Sequence, residues 1–164
     1  MKLAFIGQPE YFRFCYESDL NELGDVREFP FHFGMKESDF DDLVHFSADF
    51  NFFFRGEYFP SEILKKLNGF KVALSSEPFP RFIDNKLEYT ADSIKRYLDF
   101  RSRIRCADFD YVFHYDESSL EFLRRDGLLA SGSFPFPVAT KTYIDRELPK
   151  EWDIFFIGRS TVHR

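Results

Sequence analysis

The sequence predicts an α/β protein with a Rossmann-like, three-layer α/β/α architecture and a mostly parallel sheet of about six strands. Short apolar runs alternate repeatedly with amphipathic stretches, and strands separated by helices pair in parallel through right-handed crossovers. The apolar runs are continuous rather than alternating, which is typical of strands buried on both faces of a sheet. Glycine, asparagine and proline near the ends of the amphipathic stretches supply the helix start and stop signals.

The predicted strands correspond to the apolar runs. The second run is less regular than the others because Pro30, which cannot donate a backbone hydrogen bond, interrupts it. The candidates are Leu3–Gly7, Val26–Phe31, Phe50–Phe54, Lys71–Leu74, Tyr111–His114, the looser piece Ser133–Val138 and the final run Ile154–Ile157.

The predicted helices have apolar residues at helical spacing. They are Pro9–Leu23, Ser38–Phe46, Pro60–Leu67, Thr90–Cys106 and Leu120–Arg125. Ser38 is expected to cap the second helix, and Ser118 and Glu121 are expected to form a capping box before the last one. The longest helix is expected to bury Ile94, Tyr97, Leu98 and Ile104.

The composition limits the class of protein. With 164 residues, 44% of them hydrophobic and 30% charged, the chain can bury a core, and its net charge of -6 argues against nucleic acid as the main partner. No apolar run approaches the ~20 residues of a membrane span, and Met1–Gly7 is too short for a signal peptide. The sequence therefore predicts a cytoplasmic protein. Phe, at 24 residues, predicts a tightly packed core with apolar surface left for a partner or ligand.

Ligands of open parallel sheets gather at the carboxyl ends of the strands, and this rule selects the candidate site residues. The expected catalytic residues are Glu77 and His114, and the expected substrate-binding residues are Gly7, Gln8, Tyr11, Arg55, Glu57 and Asp116. Most also have a plain structural interpretation. Arg55 suits a surface ion pair, and Glu57 and Glu77 suit caps of the helices that follow them. Gly7 suits a tight turn, Asp116 suits a helix cap, and His114 suits a buried core histidine.

The common catalytic motifs are missing from the sequence. It has no GxGxxG, no GxSxG and no phosphate-binding GxxxxGK[ST] loop. No CxxC pair is present, and Asp108–Asp110 has the DxD pattern but precedes its strand, so no metal and no resident cofactor are expected. These absences favour a transferase that works by positioning its substrates around a single base.

The second half of the sequence carries a resemblance to a known family. A predicted strand is followed by Asp116, a helix closes on Arg124–Gly127, an extended segment covers Phe134–Ala139, and Asp153–Arg159 forms an Asp–hydrophobic–Gly pattern. This order resembles the centre of GT-B fold glycosyltransferases, particularly the group related to bacterial spore-maturation proteins.

The resemblance implies an organisation into two domains. Residues 1–148 would form the N-terminal, acceptor-binding domain, and residues 149–164 a linker and the first strand of a truncated second domain. The missing domain would bind most of a nucleotide sugar, the co-substrate, with Gly158 and Arg159 near its diphosphate. The acceptor would be a glycan or another hydroxyl compound, and the fragment alone would be inactive. The strand Ile154–Ile157 would pair with a sheet edge, within the chain or in a homodimer.

Two other functions remain open at this point. A non-catalytic Rossmann-like module would use exposed Phe residues to hold a partner, and an apolar patch remote from the strand carboxyl ends would favour it. A receiver-like signalling domain is the weaker alternative, because it needs clustered Asp after the first strand, where Gly7–Glu10 stands.

Overall fold

Six parallel strands form the central sheet of this protein, whose computed structural model describes residues 1–13 and 24–135. The strands are β1 Lys2–Gly7, β2 Asp25–Pro30, β3 Phe50–Phe54, β4 Phe70–Ser75, β7 Tyr111–His114 and β8 Gly132–Ser133, and a separate antiparallel hairpin contains β5 Arg81–Ile83 and β6 Lys86–Glu88. The sheet order is β2-β1-β3-β4-β7-β8, and every pairing is parallel. The predicted α/β, Rossmann-like fold is therefore confirmed.

Four α-helices lie between these strands in the part of the chain that the structure describes, and short 3-10 turns precede or follow several of them. The helices are α1 Asp41–Phe46, α2 Ser61–Leu64, α3 Ala91–Arg103 and α4 Leu120–Arg125. The longest, α3, begins with a reciprocal cap in which the Ser93 amide donates to Thr90 Oγ1 at 3.0 Å and the Thr90 amide donates to Ser93 Oγ at 2.9 Å. Among the described residues, no helix has both the length and the apolar character needed to cross a membrane.

The main hydrophobic core lies between the helices and one face of the sheet. Because side chains alternate along a strand, Ala4, Ile6, Phe53 and Ala73 point to this face and pack with buried residues of all four helices. These helix residues are Leu43, Phe46, Ile63, Leu64, Tyr97, Phe100 and Leu123. The core thus fixes the helices against the sheet and leaves the carboxyl ends of the strands as one continuous edge.

The opposite face of the sheet is lined by aromatic rings, and we call it the aromatic face. It consists of Phe5, Phe50, Phe52, Phe54, Phe70, Tyr111 and Phe113. Neighbouring strands bring the rings into contact: Phe5 and Phe52 have centroids 5.4 Å apart, and Phe50 and Phe70 5.3 Å. The ring of Phe12 stacks on that of Phe54, with ring centroids 4.5 Å apart. The surplus of phenylalanine is therefore divided between the helix-side core and this second layer.

Several predicted helix boundaries are wrong in detail. The predicted helix Ser38–Phe46 is a 3-10 turn, Glu37–Phe40, followed by α1, and its cap is formed by Lys36 and Asp39, not by Ser38. The predicted helix Pro60–Leu67 is helical only over Ser61–Leu64.

The two later helices also differ from prediction. Helix α3 ends at Arg103, and it buries Phe100 rather than Leu98, which is 58% exposed. The expected capping box of Ser118 and Glu121 does not form, because Glu121 pairs with Arg124 and Arg125. The Ser118 amide instead donates to Asp116 Oδ1 at 2.9 Å.

Some predictions fall outside the described residues. Of the predicted helix Pro9–Leu23, the structure describes a 3-10 turn at Pro9–Tyr11 and nothing over residues 14–23. Of the extended piece Ser133–Val138, it describes β8 and the residues up to 135. The domain boundary at 148, the strand Ile154–Ile157 with its homodimer, and the donor-binding Gly158 and Arg159 lie in residues 136–164.

Candidate functional site

The polar residues that follow the strands meet at one edge of the sheet. Strands β1, β3, β4 and β7 are neighbours and parallel, so their carboxyl ends share that edge. The strand order reverses between β1 and β3, because β2 lies on one side of β1 and the later strands that the structure describes in this sheet lie on the other. Such a switch point is where α/β sheets open a crevice for a ligand. Gly7 ends β1 and Gln8 follows it at this point, and Arg55 follows β3.

Arg55 organises the cluster at the carboxyl ends of β3 and β4. Its Nε donates to Glu57 Oε1 at 2.6 Å, and its Nη1 binds Glu77. Glu77 also binds Arg96 of α3, whose Nε donates to Asp92 at 2.7 Å. The five side chains therefore form a continuous chain in which carboxylates and guanidinium groups alternate. We call them the Arg55 cluster.

Arg55 reaches these partners from an unusual backbone conformation. Its φ is +69°, in the left-handed region that non-glycine residues seldom adopt, and it precedes a 3-10 turn over Gly56–Tyr58. Glu57 lies in this turn, which places its carboxylate within hydrogen-bonding distance of the Arg55 side chain. The Gly56 position allows the close approach, since a Cβ there would lie 3.1 Å from Ala73 Cβ and 3.1 Å from Phe109 Cζ.

Glu57 is the most buried carboxylate of the cluster. Its side chain is nearly inaccessible to solvent, whereas that of Arg55 is partly exposed. Burial raises the pKa of the Glu57 carboxyl, and the Arg55 guanidinium opposes this effect. A buried carboxyl with a raised pKa beside a cavity is suited to accepting a proton from a bound hydroxyl group.

Tyr58 joins the Arg55 cluster to the far end of α3. The guanidinium groups of Arg55 and Arg103 lie 4.9 and 5.0 Å from its ring centroid. Its hydroxyl donates to Asp99 Oδ2 at 2.5 Å, and Arg103 Nε donates to Asp99 Oδ1 at 2.7 Å. These hydrogen bonds hold the pKa of the Asp99 carboxyl below its ordinary value.

Two cavities meet at Glu57. One has a volume of about 280 Å³ and is lined by Arg55, Glu57, Tyr58, Glu77, Asp92, Lys95, Arg96, Asp99 and Phe100. The other, of about 270 Å³, lies between the 3-10 turn, α2 and the segment after α3, and Glu57 lines it as well. A small polar molecule in the first cavity would therefore contact Glu57 and the partners that hold it.

His114 lies apart from the Arg55 cluster. It is 1% exposed, its ring stacks on Phe79 with centroids 4.5 Å apart, and neither ring nitrogen has a hydrogen-bond partner among the described residues. Ser75 is its register neighbour on β4, and Ser75 Oγ is equally without a partner. Burial lowers the pKa of the His114 imidazole to about 4, against the opposing effect of Asp116.

The remaining predicted residues have mainly structural contacts. Asp116 Oδ1 accepts from Ser118 Oγ at 2.6 Å as well as from the Ser118 amide, so it caps the turn before α4. Gly7 has φ +151°, and a Cβ there would lie 3.0 Å from Phe54 Cβ, so the position needs glycine for packing. Gln8 precedes the 3-10 turn that contains Tyr11.

Sequence reasoning missed the contribution of α3 to this site. Asp92, Arg96, Asp99 and Arg103 recur at helical spacing. Arg96, Asp99 and Arg103 contact residues that follow β3 and β4, and Asp92 holds Arg96. The sequence contained a signal for this contribution, because charged residues three or four positions apart on a predicted helix lie on one face, beside the apolar face.

The sheet topology and the Arg55 cluster define the class of this protein: an α/β protein with a parallel sheet, a reversal of strand order, and a charged cavity at the carboxyl edge. Comparisons with protein-family models, curated proteins and solved structures find no match for the chain. Within residues 1–13 and 24–135, no group of His, Cys, Asp or Glu side chains is arranged to hold a metal ion.

Proposed function

We propose that this chain is the acceptor-binding domain of a cytoplasmic glycosyltransferase, which acts with a second domain that binds a nucleotide sugar. The observation that carries the proposal is the Arg55 cluster, placed beside the switch point of a parallel sheet where such folds bind ligands. Its alternating donors and acceptors suit the hydroxyl groups of a neutral acceptor. The family resemblance supports the choice of reaction, and Gly158 and Arg159 would contact the donor.

Glu57 is the group best suited to act as the base. The acceptor oxygen would attack the anomeric carbon of the donor, the bond from that carbon to the diphosphate would break, and the diphosphate would leave with the electron pair. The acceptor proton would pass to Glu57, whose raised pKa and buried position favour it as a proton acceptor.

Glu77 and His114, which the sequence suggested as catalytic residues, are less suited to this task. Glu77 is occupied by two guanidinium groups, those of Arg55 and Arg96. The His114 ring is buried under Phe79 and lines neither of the two cavities that meet at Glu57. We therefore assign Glu77 the task of positioning Arg55, which in turn orients Glu57.

The proposal predicts a large kinetic effect of Glu57→Gln in the full-length protein. With a panel of nucleotide sugars and hydroxyl acceptors, we expect transfer by the unmodified protein, and kcat lowered by about 10²–10⁴-fold in the variant, because a positioned base contributes that much. Radiolabelled or mass-spectrometric detection of the glycosylated acceptor measures both.

Glu37→Gln is the matched control. Glu37 is a well-exposed glutamate paired with Lys66, away from the Arg55 cluster, and its substitution should leave the rate unchanged. No transfer from any nucleotide sugar would overturn the proposed function. Full activity of the Glu57→Gln protein would overturn the role of the base.

The aromatic face favours a second candidate function, a non-catalytic interaction module. Phe70 and Tyr111 are 48% and 46% exposed, and they stand at the first positions of β4 and β7, remote from the carboxyl edge. An apolar surface of this kind commonly marks an interaction site. The simplest partner is a second copy of the chain, whose own aromatic face would match it in character.

This second function predicts self-association that depends on Phe70. Sedimentation velocity over a wide range of protein concentration should show a dimer, and Phe70→Asp should abolish it, since a buried unpaired carboxylate would oppose contact. Leu129→Asp is the control, because Leu129 is highly exposed but does not belong to the aromatic face. A chain that remains monomeric at every concentration would count against self-association.

A further inference from the structure

A third cavity opens beside the Arg55 cluster, under the β5–β6 hairpin. After β4 the chain turns through Pro78–Pro80 into the hairpin, and the hairpin, the start of α3 and the end of β7 enclose about 320 Å³. That volume falls within the range of small-molecule sites. Glu77 lines the cavity of the Arg55 cluster and Pro78 lines this one, so the two cavities are neighbours along the chain.

Two tyrosines, together with Pro78 and Phe79, supply the apolar part of this cavity. Tyr89 is 61% exposed at the end of the hairpin, and Tyr115 is partly buried after β7. Tyrosine combines a flat apolar ring with a polar hydroxyl group and loses little conformational entropy when it is held in a contact. Such rings suit a ligand that has both an apolar face and hydroxyl groups.

Charged side chains supply the polar part: one guanidinium group, of Arg81, and two carboxylates, of Glu88 and Asp116. Arg81 lies 3.8 Å from Glu88 and 3.9 Å from Asp116, so its guanidinium is shared by two carboxylates. Asp116 is further held by Ser118. Planar guanidinium and carboxylate groups form paired hydrogen bonds with good directionality.

These charges select among ligand classes. A phosphate would be repelled, because two carboxylates face the single guanidinium of Arg81. A quaternary ammonium ion would suit tyrosines and carboxylates, but it would have to compete with Arg81, which already lies near both carboxylates. A purely apolar molecule would bury these charged groups without hydrogen bonds, which is costly. A neutral polyhydroxylated ring meets none of these penalties.

We propose that this cavity is a subsite for one ring of a neutral saccharide, which is the acceptor of the transfer reaction. The apolar side of the ring packs on Tyr89, and its hydroxyl groups bond to Arg81 and the two carboxylates. The acceptor class rests on the proposed function, whereas the saccharide site itself rests on the geometry of this cavity. A ring held here extends toward Glu77 and the neighbouring cavity.

Saturation-transfer NMR on the 164-residue chain tests the proposal. The probes are lactose, maltose and chitobiose, with choline and inorganic phosphate as the competing ligand classes. We expect saturation transfer to the ring protons of at least one disaccharide, and binding about tenfold weaker in Tyr89→Ala, the loss expected when an aromatic contact is removed.

Phe33→Ala is the matched control, since it removes a highly exposed aromatic side chain that lines neither this cavity nor the two that meet at Glu57. Equal binding by both variants, or no transfer to any disaccharide, would overturn the subsite. Displacement of the bound disaccharide by choline or by phosphate would overturn its assignment to a neutral ligand.

The Tyr89→Ala variant also distinguishes failure of the proposed subsite from failure of the proposed transfer reaction. Disaccharide binding that is lost in Tyr89→Ala, together with a full-length protein that transfers no sugar, would support the subsite and overturn the transferase. Transfer to a saccharide acceptor with an unchanged KM in full-length Tyr89→Ala would support the transferase and overturn the subsite.

Discussion

Gly69→Ala should lower the free energy of unfolding by about 3 kcal/mol or more, because it adds a strained backbone to a direct clash. Gly69 has φ +69° and immediately precedes β4. A Cβ there would lie 2.2 Å from the carbonyl oxygen of Ala48 and 2.4 Å from that of Asp49. Both oxygens belong to the backbone just before β3, so the clash could be relieved only by moving the start of a central strand. Urea denaturation followed by circular dichroism measures the loss.

Gly127→Ala separates the two causes of that loss. Gly127 has a similar φ of +75°, but a Cβ there would have no atom within 4 Å. We expect this variant to lose only about 1 kcal/mol, the cost of holding alanine in the left-handed region. If both variants lost the same unfolding free energy, the clash with the carbonyl oxygens of Ala48 and Asp49 would contribute nothing to stability, and the prediction would be wrong.

The second large effect is a dependence of stability on pH that originates at His114. Its pKa is about 4 in the folded protein, whereas an unfolded histidine titrates near 6.5. Between these values the unfolded chain binds the proton more tightly. The contribution of His114 is therefore complete above pH 6.5 and is lost as the pH falls toward 4. From pH 7.5 to pH 5 the loss amounts to about 2 kcal/mol by linkage.

His114→Phe should remove this contribution, since phenylalanine keeps a flat ring against Phe79 but has no proton to bind. The quantity to compare is the change in unfolding free energy between pH 7.5 and pH 5. Groups other than His114 also titrate in this range, but they do so in the variant and in the unmodified chain alike. The variant should lose about 2 kcal/mol less than the unmodified chain. His32→Phe, at an exposed position, is the control. An identical pH dependence in the His114 variant and the unmodified chain would contradict the prediction.

The sheet was largely predictable because its strands are buried on both faces. Phe50–Phe54 and Tyr111–His114 were predicted with the bounds that the structure has, and β1 and β4 within one or two residues. A continuous apolar run between turn residues has few alternatives to a central strand. The aromatic face could not be predicted, since the sequence shows the surplus of Phe without showing how alternation divides it between two layers.

The β5–β6 hairpin was missed, although a local signal was present. That signal is the pair Asp84–Asn85, because Asp and Asn tolerate a positive φ better than most residues. In the structure their φ angles are +48° and +62°, as the two central residues of a tight hairpin turn require. Each strand has only three residues, and the second, Lys86–Glu88, is fully exposed, so no apolar run marked it. Because the hairpin was not predicted, the cavity beneath it was not predicted either.

The carboxyl-end rule brought together only part of the candidate site. It selected Arg55, Glu57 and Glu77, which the structure joins in one cluster. It also selected His114, whose side chain turns under Phe79 instead. The rule locates where a strand ends, but the direction of each side chain depends on packing with helices that are distant in sequence.

The pattern of strand pairing also bears on how this chain reaches its folded state. Among the described strands, only those of the small β5–β6 hairpin are joined by a tight turn, and every pairing in the main sheet is parallel. The central partners Leu3 and Phe50, for example, are separated by β2 and α1. Closing such long loops costs entropy before any contact repays it, so a topology of this kind folds slowly compared with a helical bundle. During that interval the phenylalanine-rich strand edges are open to pairing with other chains, which makes refolding yield sensitive to protein concentration.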